Sequence, residues 1–453
     1  MMLNTQKSVS RFLQLSLVSA ALALAGCNND TGSSTLPGSG GHDHDHGSEA
    51  VTVKKIGTPL QVSQVAGHPD VTQLAAFATG NKKLYLITPE KNLYEDFDWS
   101  NGAVNAPTNA TRSQHSFDAH GEHFLVLDNT GMLHILETGA TSADWSYKAG
   151  VQVVSAASIT AGAKLTVSGL ADTAFITDPV PAAGSDKIQV VDLEAGALDT
   201  PIDLGFELSN AGIAWTGVKE EHDHAAAPAA APHADHPGRL VVANADAGAG
   251  VNTYIHDLED GSQSSLSLDY AAYAIYSSPG GRFALIAQRP VAASHQVQIV
   301  DSGLTEASET APSLLSLKLV GNKPAHYRSV DDVATFFFDG TVGVSDLRFV
   351  LFNDESLADG TVLASESSIA GHHGVAEPRG DVVIVSKADA AGARIGVQIF
   401  HRHDDHFHEE GSVTEACTGL HGAGSNASWS AFGCADGVLV LGLAEDDHAG
   451  HSH

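Results

Sequence analysis

Residues 123–139 read HFLVLDNTGMLHILETG: a strand-type run, an Asp-Asn-Thr-Gly turn, a second run and an acidic, glycine-containing exit. Short apolar runs joined by turn residues read as a β-hairpin. The same unit recurs in KKLYLITPEKNLYEDF (82–97), AFITDPVPAAGSDKIQVVDLEAG (174–196), RLVVANADAGAGVNTYIHDLEDG (239–261) and RFALIAQRPVAASHQVQIVDSG (282–303). It returns in VATFFFDGTVGVSDL (333–347), DVVIVSKADAAGARIGVQIF (381–400) and WSAFGCADGVLVLGL (429–443). Eight copies spaced by roughly 40–65 residues predict an all-β chain folded as a β-propeller. The count favours eight blades, with seven as the alternative, and an array of β-sandwiches is the competing architecture. VTVKKIGTPLQV (51–62) is placed to supply the strand that closes the last blade.

The 45 glycines and a charged fraction of 17% fit many turns rather than a charged, disordered chain. Lys plus Arg number 23 against 54 Asp plus Glu, a formal charge of −31. Nucleic acid or an anionic membrane surface would meet a repulsive field, whereas cations are attracted.

Ahead of the repeats, residues 1–27 read as an export signal: Lys7 and Arg11, the apolar stretch FLQLSLVSAALALAG, then Cys27. Leu24-Ala25-Gly26-Cys27 resembles the lipobox of bacterial lipoproteins, which implies lipidation of Cys27 and a membrane anchor facing the periplasm. Asn28, in place of aspartate, favours the outer membrane. Residues 28–50 form a His/Asp-rich flexible linker, 51–443 the propeller, 219–239 a His-rich loop within it and 444–453 a His-rich tail. With Cys27 lipidated, Cys417 and Cys434 remain to form a disulfide in an oxidising compartment.

Of the 25 histidines, 14 fall in five mobile-looking clusters: 42–46, 222–224, 233–236, 401–408 and 445–453. GHDHDHGSEA (41–50) alternates His42, His44 and His46 with aspartates. Neutral imidazoles bind zinc, and neighbouring carboxylates add charge and hydrogen-bond acceptors. The histidines that precede hairpins matter differently, because corresponding positions of successive blades converge on one axis. His372 and His373 in AGHHGVAEPRGD lead this set, followed by His421 and His115, then Asp118, His120 and His326. Each of these could instead make an ordinary hydrogen bond between blades. Only three methionines argue against a Cu(I) carrier.

The HDHDH segment, AGHHG ahead of a late blade and the CTGLHG…FGCADG end together resemble the AztD family of periplasmic zinc metallochaperones. The resemblance implies a structured zinc site in the propeller and a second on the N-terminal segment. It also implies transfer of Zn2+ to the solute-binding protein of a zinc-importing ABC transporter, without catalytic turnover. A monomer is expected. The alternatives are a metal-dependent propeller hydrolase or lactonase, for which Glu377 and Asp381 are the nearby carboxylates, and an interaction scaffold whose histidines buffer metal.

Overall fold

The computed structural model describes residues 51–78, 83–97, 112–170, 172–180, 184–208, 212–219, 236–244 and 251–442. The signal, Cys27, His42, His44, His46, most of the 219–239 loop and the C-terminal tail lie outside them.

Eight antiparallel sheets follow one another along the chain. Blade one consists of Val62–Gly67, Leu74–Ala78, Leu84–Thr88 and Leu93–Asp96. Blade two consists of Arg112–Phe117, His123–Asp128, Met132–Glu137 and Ser146–Gln152. Blade three pairs Leu165–Val167, Thr173–Asp178 and Lys187–Asp192, its outer edge split between Ala197–Leu198 and Ile202–Asp203. Blade four is Gly212–Thr216, Arg239–Ala243, Asn252–Asp257 and Gln263–Ser267. Blade five is Ala272–Ser277, Phe283–Gln288, Gln296–Asp301 and Ser313–Val320. Blade six is Pro324–Val330, Val333–Phe338, Leu347–Phe352 and Ala364–Ile369. Blade seven is Ala376–Arg379, Val382–Ala388, Arg394–His403 and His406–Ser412.

Blade eight is built from both ends of the described chain. Ala423–Ser425, Ser430–Cys434 and Gly437–Gly442 come from the C-terminal side, and Thr52–Gly57 pairs antiparallel along the whole of Gly437–Gly442. The fold is therefore an eight-bladed β-propeller, and the seven-bladed and sandwich alternatives fall away. The first sequence repeat sits one strand late: KKLYLITPEKNLYEDF supplies the third and fourth strands of its blade, behind the fully buried LAAFA of Leu74–Ala78.

Side-chain alternation explains how one strand serves two interfaces. In Val333–Phe338 every residue is buried, yet Ala334, Phe336 and Phe338 pack toward blade five while Val333 and Phe337 pack toward blade seven. Leu74 and Ala76 likewise face blade eight, and Ala75 and Phe77 face blade two. One apolar cluster fills each of the eight gaps between neighbouring blades. Truncating one fully buried phenylalanine of these clusters, such as Phe336, costs about 3–5 kcal/mol. The first strands of adjacent blades lie against one another and so surround the channel. Solvent meets fourth strands such as Gln263–Ser267, which is largely exposed. Among the described residues no helix is long and apolar enough to cross a membrane.

Cys417 and Cys434 form a disulfide across a sequence separation of 17. It ties the passage from blade seven to blade eight onto the second strand of blade eight, and both cysteines are fully buried.

Candidate metal centre

Three of the histidines singled out in the sequence meet at the inner ends of blades six, seven and eight. His326 lies on the first strand of blade six, just after a bulge in which the pairing slips between Pro324 and His326. A bulge re-aims the side chains that follow it. His373 sits in the passage to the first strand of blade seven, and His421 two residues before the first strand of blade eight. Together they line a cavity of about 10 Å³, room for one water or ion.

The Nε2 atoms of His326 and His373 are 3.3 Å apart, with ring centroids at 4.8 Å. Zinc–nitrogen bonds of about 2.0–2.1 Å place the donors of a tetrahedral site about 3.3–3.4 Å apart, so this pair already spans one edge. The ring centroid of His421 is 6.2 Å from that of His373. His373 Nδ1 lies 2.9 Å from Asp339 Oδ2, and His421 Nδ1 lies 3.0 Å from the carbonyl oxygen of Ser63. Those oxygens only accept, so both rings carry their proton on Nδ1 and keep Nε2 bare, the tautomer a metal needs.

Burial, reinforced by the charge of Arg328 and by the neighbouring His373 and His421, pushes His326 down to about 3, which keeps its imidazole neutral. Arg328 and Arg394 also line the cavity and oppose a cation there. Asp339, at the imidazole of His373, and the buried Glu377, 3.6 Å from Arg328 Nε, work the other way. Burial raises Glu377 to about 7, and its Oε1 accepts from Ser425 Oγ at 2.8 Å. Asp381 is engaged by Arg402 at 2.8 Å on an exposed hairpin. Neither Glu377 nor Asp381 lines the cavity.

The adjacent histidines 372 and 373 part company. His372 is 2% exposed; its Nδ1 donates to the Ala370 carbonyl at 2.9 Å and its Nε2 accepts from Ser386 Oγ at 2.9 Å. Gly374 makes this possible, because a Cβ there would stand 1.9 Å from Ser386 Oγ and 2.8 Å from the His372 ring. His372 thus serves the interior of blade seven and its neighbour serves the cavity.

His115, Asp118 and His120 are not brought to this cavity. The His115 ring packs at 5.1 Å and 5.8 Å from Phe77 and Phe124, between blades one and two. Asp118 is buried and accepts from the backbone N–H and Nδ1 of His123 at 3.0 Å and 2.8 Å. His120 sits in the turn closed by Gly121 N–H on the Asp118 carbonyl. Sequence reasoning missed Asp339 and Ser63, the groups that orient His373 and His421. Asp339 carries a faint signal as the acid that ends the buried FFF run, and a backbone carbonyl carries none.

The 401–408 cluster and His236, the described histidine of 233–236, take defined positions. The stretch 401–408, expected to be mobile, is a β-hairpin: Arg394–His403 turns at Asp404, whose φ is 54°, and returns as His406–Ser412. Near blade four, His236, Glu259 and Glu309 bring three ligand atoms within 4.8 Å of one another. His236 Nδ1, however, accepts from the Gly238 N–H at 2.9 Å, so Nε2 holds the ring proton, 3.4 Å from carboxylate oxygens of Asp257 and Glu259. That arrangement fits an imidazole N–H set between carboxylates better than a metal ligand.

No family model matches the chain. A curated relative, "Zinc chaperone AztD" of Citrobacter koseri, is 28% identical over 134 residues, 29% of this chain and 30% of that protein. The chain thus matches less than a third of the relative's length. The structure of apo AztD from Citrobacter koseri aligns at 23% identity with a TM-score of 0.37, over 46% of this chain and 55% of that one. The Dos1 propeller aligns at 12% identity with a TM-score of 0.51, over 86% of this chain and 94% of that one, a likeness of fold alone. The resemblance to the AztD family read from the sequence is accordingly matched by a partial similarity to a protein named as a zinc chaperone.

Proposed function

We propose that this protein binds Zn2+ at the inner ends of blades six to eight through His326, His373 and His421, and passes it on as a metallochaperone. The observation that carries this reading is the pair of Nε2 atoms 3.3 Å apart, one of them on a ring whose other nitrogen is held by a carboxylate. Three imidazoles leave a fourth position open, through which a receiving protein can begin ligand exchange. Arg328 and Arg394 at the same cavity weaken the hold on a cation, which suits an ion that has to leave. The partial similarity to a zinc chaperone supports zinc as the cargo.

In this reading the chain works in the periplasm, anchored through lipidated Cys27 and favouring the outer membrane. Its recipient is the zinc solute-binding protein of an ABC importer. His42, His44 and His46 serve as a loosely binding transfer arm. The double variant His326→Ala/His373→Ala should abolish tight zinc retention in equilibrium dialysis while circular dichroism stays unchanged. Unaltered affinity in that variant removes the cavity from the reading. Deleting residues 42–46 should slow stopped-flow transfer to the solute-binding protein and spare the tight site; an unchanged rate removes the arm.

A further inference from the structure

The stretch HRHDDHFH (401–408) is absorbed neither by the propeller core nor by the channel cavity. Its hairpin pairs His401 with His408 and His403 with His406. Residues two apart on a strand, and residues directly opposite across a ladder, share a face of the sheet. All four imidazoles therefore project from one face, while Arg402 and the buried Phe407 belong to the other. The ring centroids of His401 and His403 are 5.0 Å apart, those of His403 and His408 4.9 Å, and those of His406 and His408 4.9 Å.

The Nε2 atoms of His406 and His408 stand 3.1 Å apart, close to the donor separation of about 3.3–3.4 Å that a tetrahedral zinc ion sets. The Nδ1 of His406 faces the carboxylate of Asp405 at 3.3 Å, and that of His401 faces Glu410 at 3.6 Å. The Asp405 contact places the His406 ring proton on Nδ1 and leaves its Nε2 as the ligand atom. Asp404, Asp405, Glu409 and Glu410 lie in or beside the hairpin turn, and the neighbouring Arg402 is already paired with Asp381. His406 and His408 are exposed, so an ion reaches them directly from solvent.

We infer that the outer hairpin of blade seven is a second divalent-metal site, in which His406 and His408 hold a borderline cation such as Zn2+ and His401 and His403 complete the face. A strand ladder fixes these imidazoles in register, so the site binds more tightly than an unstructured histidine run. It remains open to solvent, so it exchanges faster than the channel cavity. This inference does not depend on the channel histidines.

The test uses the full chain and Zn2+ alone. Crystals grown with zinc should show anomalous density about 2.0–2.1 Å from Nε2 of both His406 and His408. The variant His406→Ala/His408→Ala should lose that density and one equivalent of bound zinc in dialysis, while His373→Ala, which removes a channel ligand, keeps the hairpin density. Phe407, which anchors the strand, is untouched in either variant. Density in the channel but none at the hairpin overturns the inference, as does a double variant that binds as much zinc as the parent.

Discussion

Reducing the disulfide between Cys417 and Cys434 should destabilise the propeller by about 3 kcal/mol, and the size follows from the loop it closes. Cross-linking two residues removes conformational freedom from the unfolded chain in proportion to the logarithm of the loop length. For the separation of 17 residues the loss is about 10 cal/mol/K, or about 3 kcal/mol at 25 °C. That is on the order of a hundredfold in the unfolding equilibrium. Reduced thiols are the right comparison, because both sulfurs are fully buried and an alanine variant would add a packing loss of its own. The protein is unfolded in guanidinium with a thiol reductant and refolded in its presence. Its denaturation midpoint is then compared with that of the oxidised chain, using mass analysis to confirm two free thiols. Coincident midpoints would refute the loop-closure reasoning. The same loop carries His421, so the reduced protein should also hold zinc less tightly than the oxidised one.

Two further outcomes separate neighbouring residues. His372→Ala leaves the buried Ser386 hydroxyl without its acceptor, and should cost roughly 1–3 kcal/mol in chemical denaturation while leaving channel zinc in place; equal stability, or loss of the ion, would contradict the division between 372 and 373. Glu377, raised by burial from 4.5 to about 7, binds its proton in the folded chain more readily than in the unfolded one. Its contribution is therefore present below pH 4.5 and declines as pH rises through 7, so Glu377→Gln should flatten the fall in melting temperature between those values; a parallel pH profile would show that Glu377 is not the cause.

The architecture was legible in the sequence because each central hairpin is contiguous and bounded by turn residues, as in HFLVLDNTGMLHILETG. Leu74–Ala78 escaped notice because LAAFA is short and its alanines give a weak strand signal. The hairpin at 401–408 was hidden by composition: HRH-DD-HFH alternates on either side of a two-residue turn, but histidine and aspartate read as a solvated tether. The site was legible only in part. That histidines ahead of hairpins converge follows from the topology, yet the choice between adjacent His372 and His373 rests on Ser386, Gly374 and Asp339, which no local pattern links. His115 occupies a comparable position in blade two, where Phe77 and Phe124 claim its ring.

The strand that closes the ring also decides where the two ends of the propeller leave it. Thr52 pairs with Gly442 at one end of the ladder, and residues opposed in an antiparallel pair lie about 5 Å apart. His46 lies six residues before Thr52, and His448 lies six residues after Gly442. Two strands whose paired ends are 390 positions apart in the chain (442 − 52) thereby meet at a single rung. A circular permutant cut elsewhere in the ring would join the two strands covalently across that one rung.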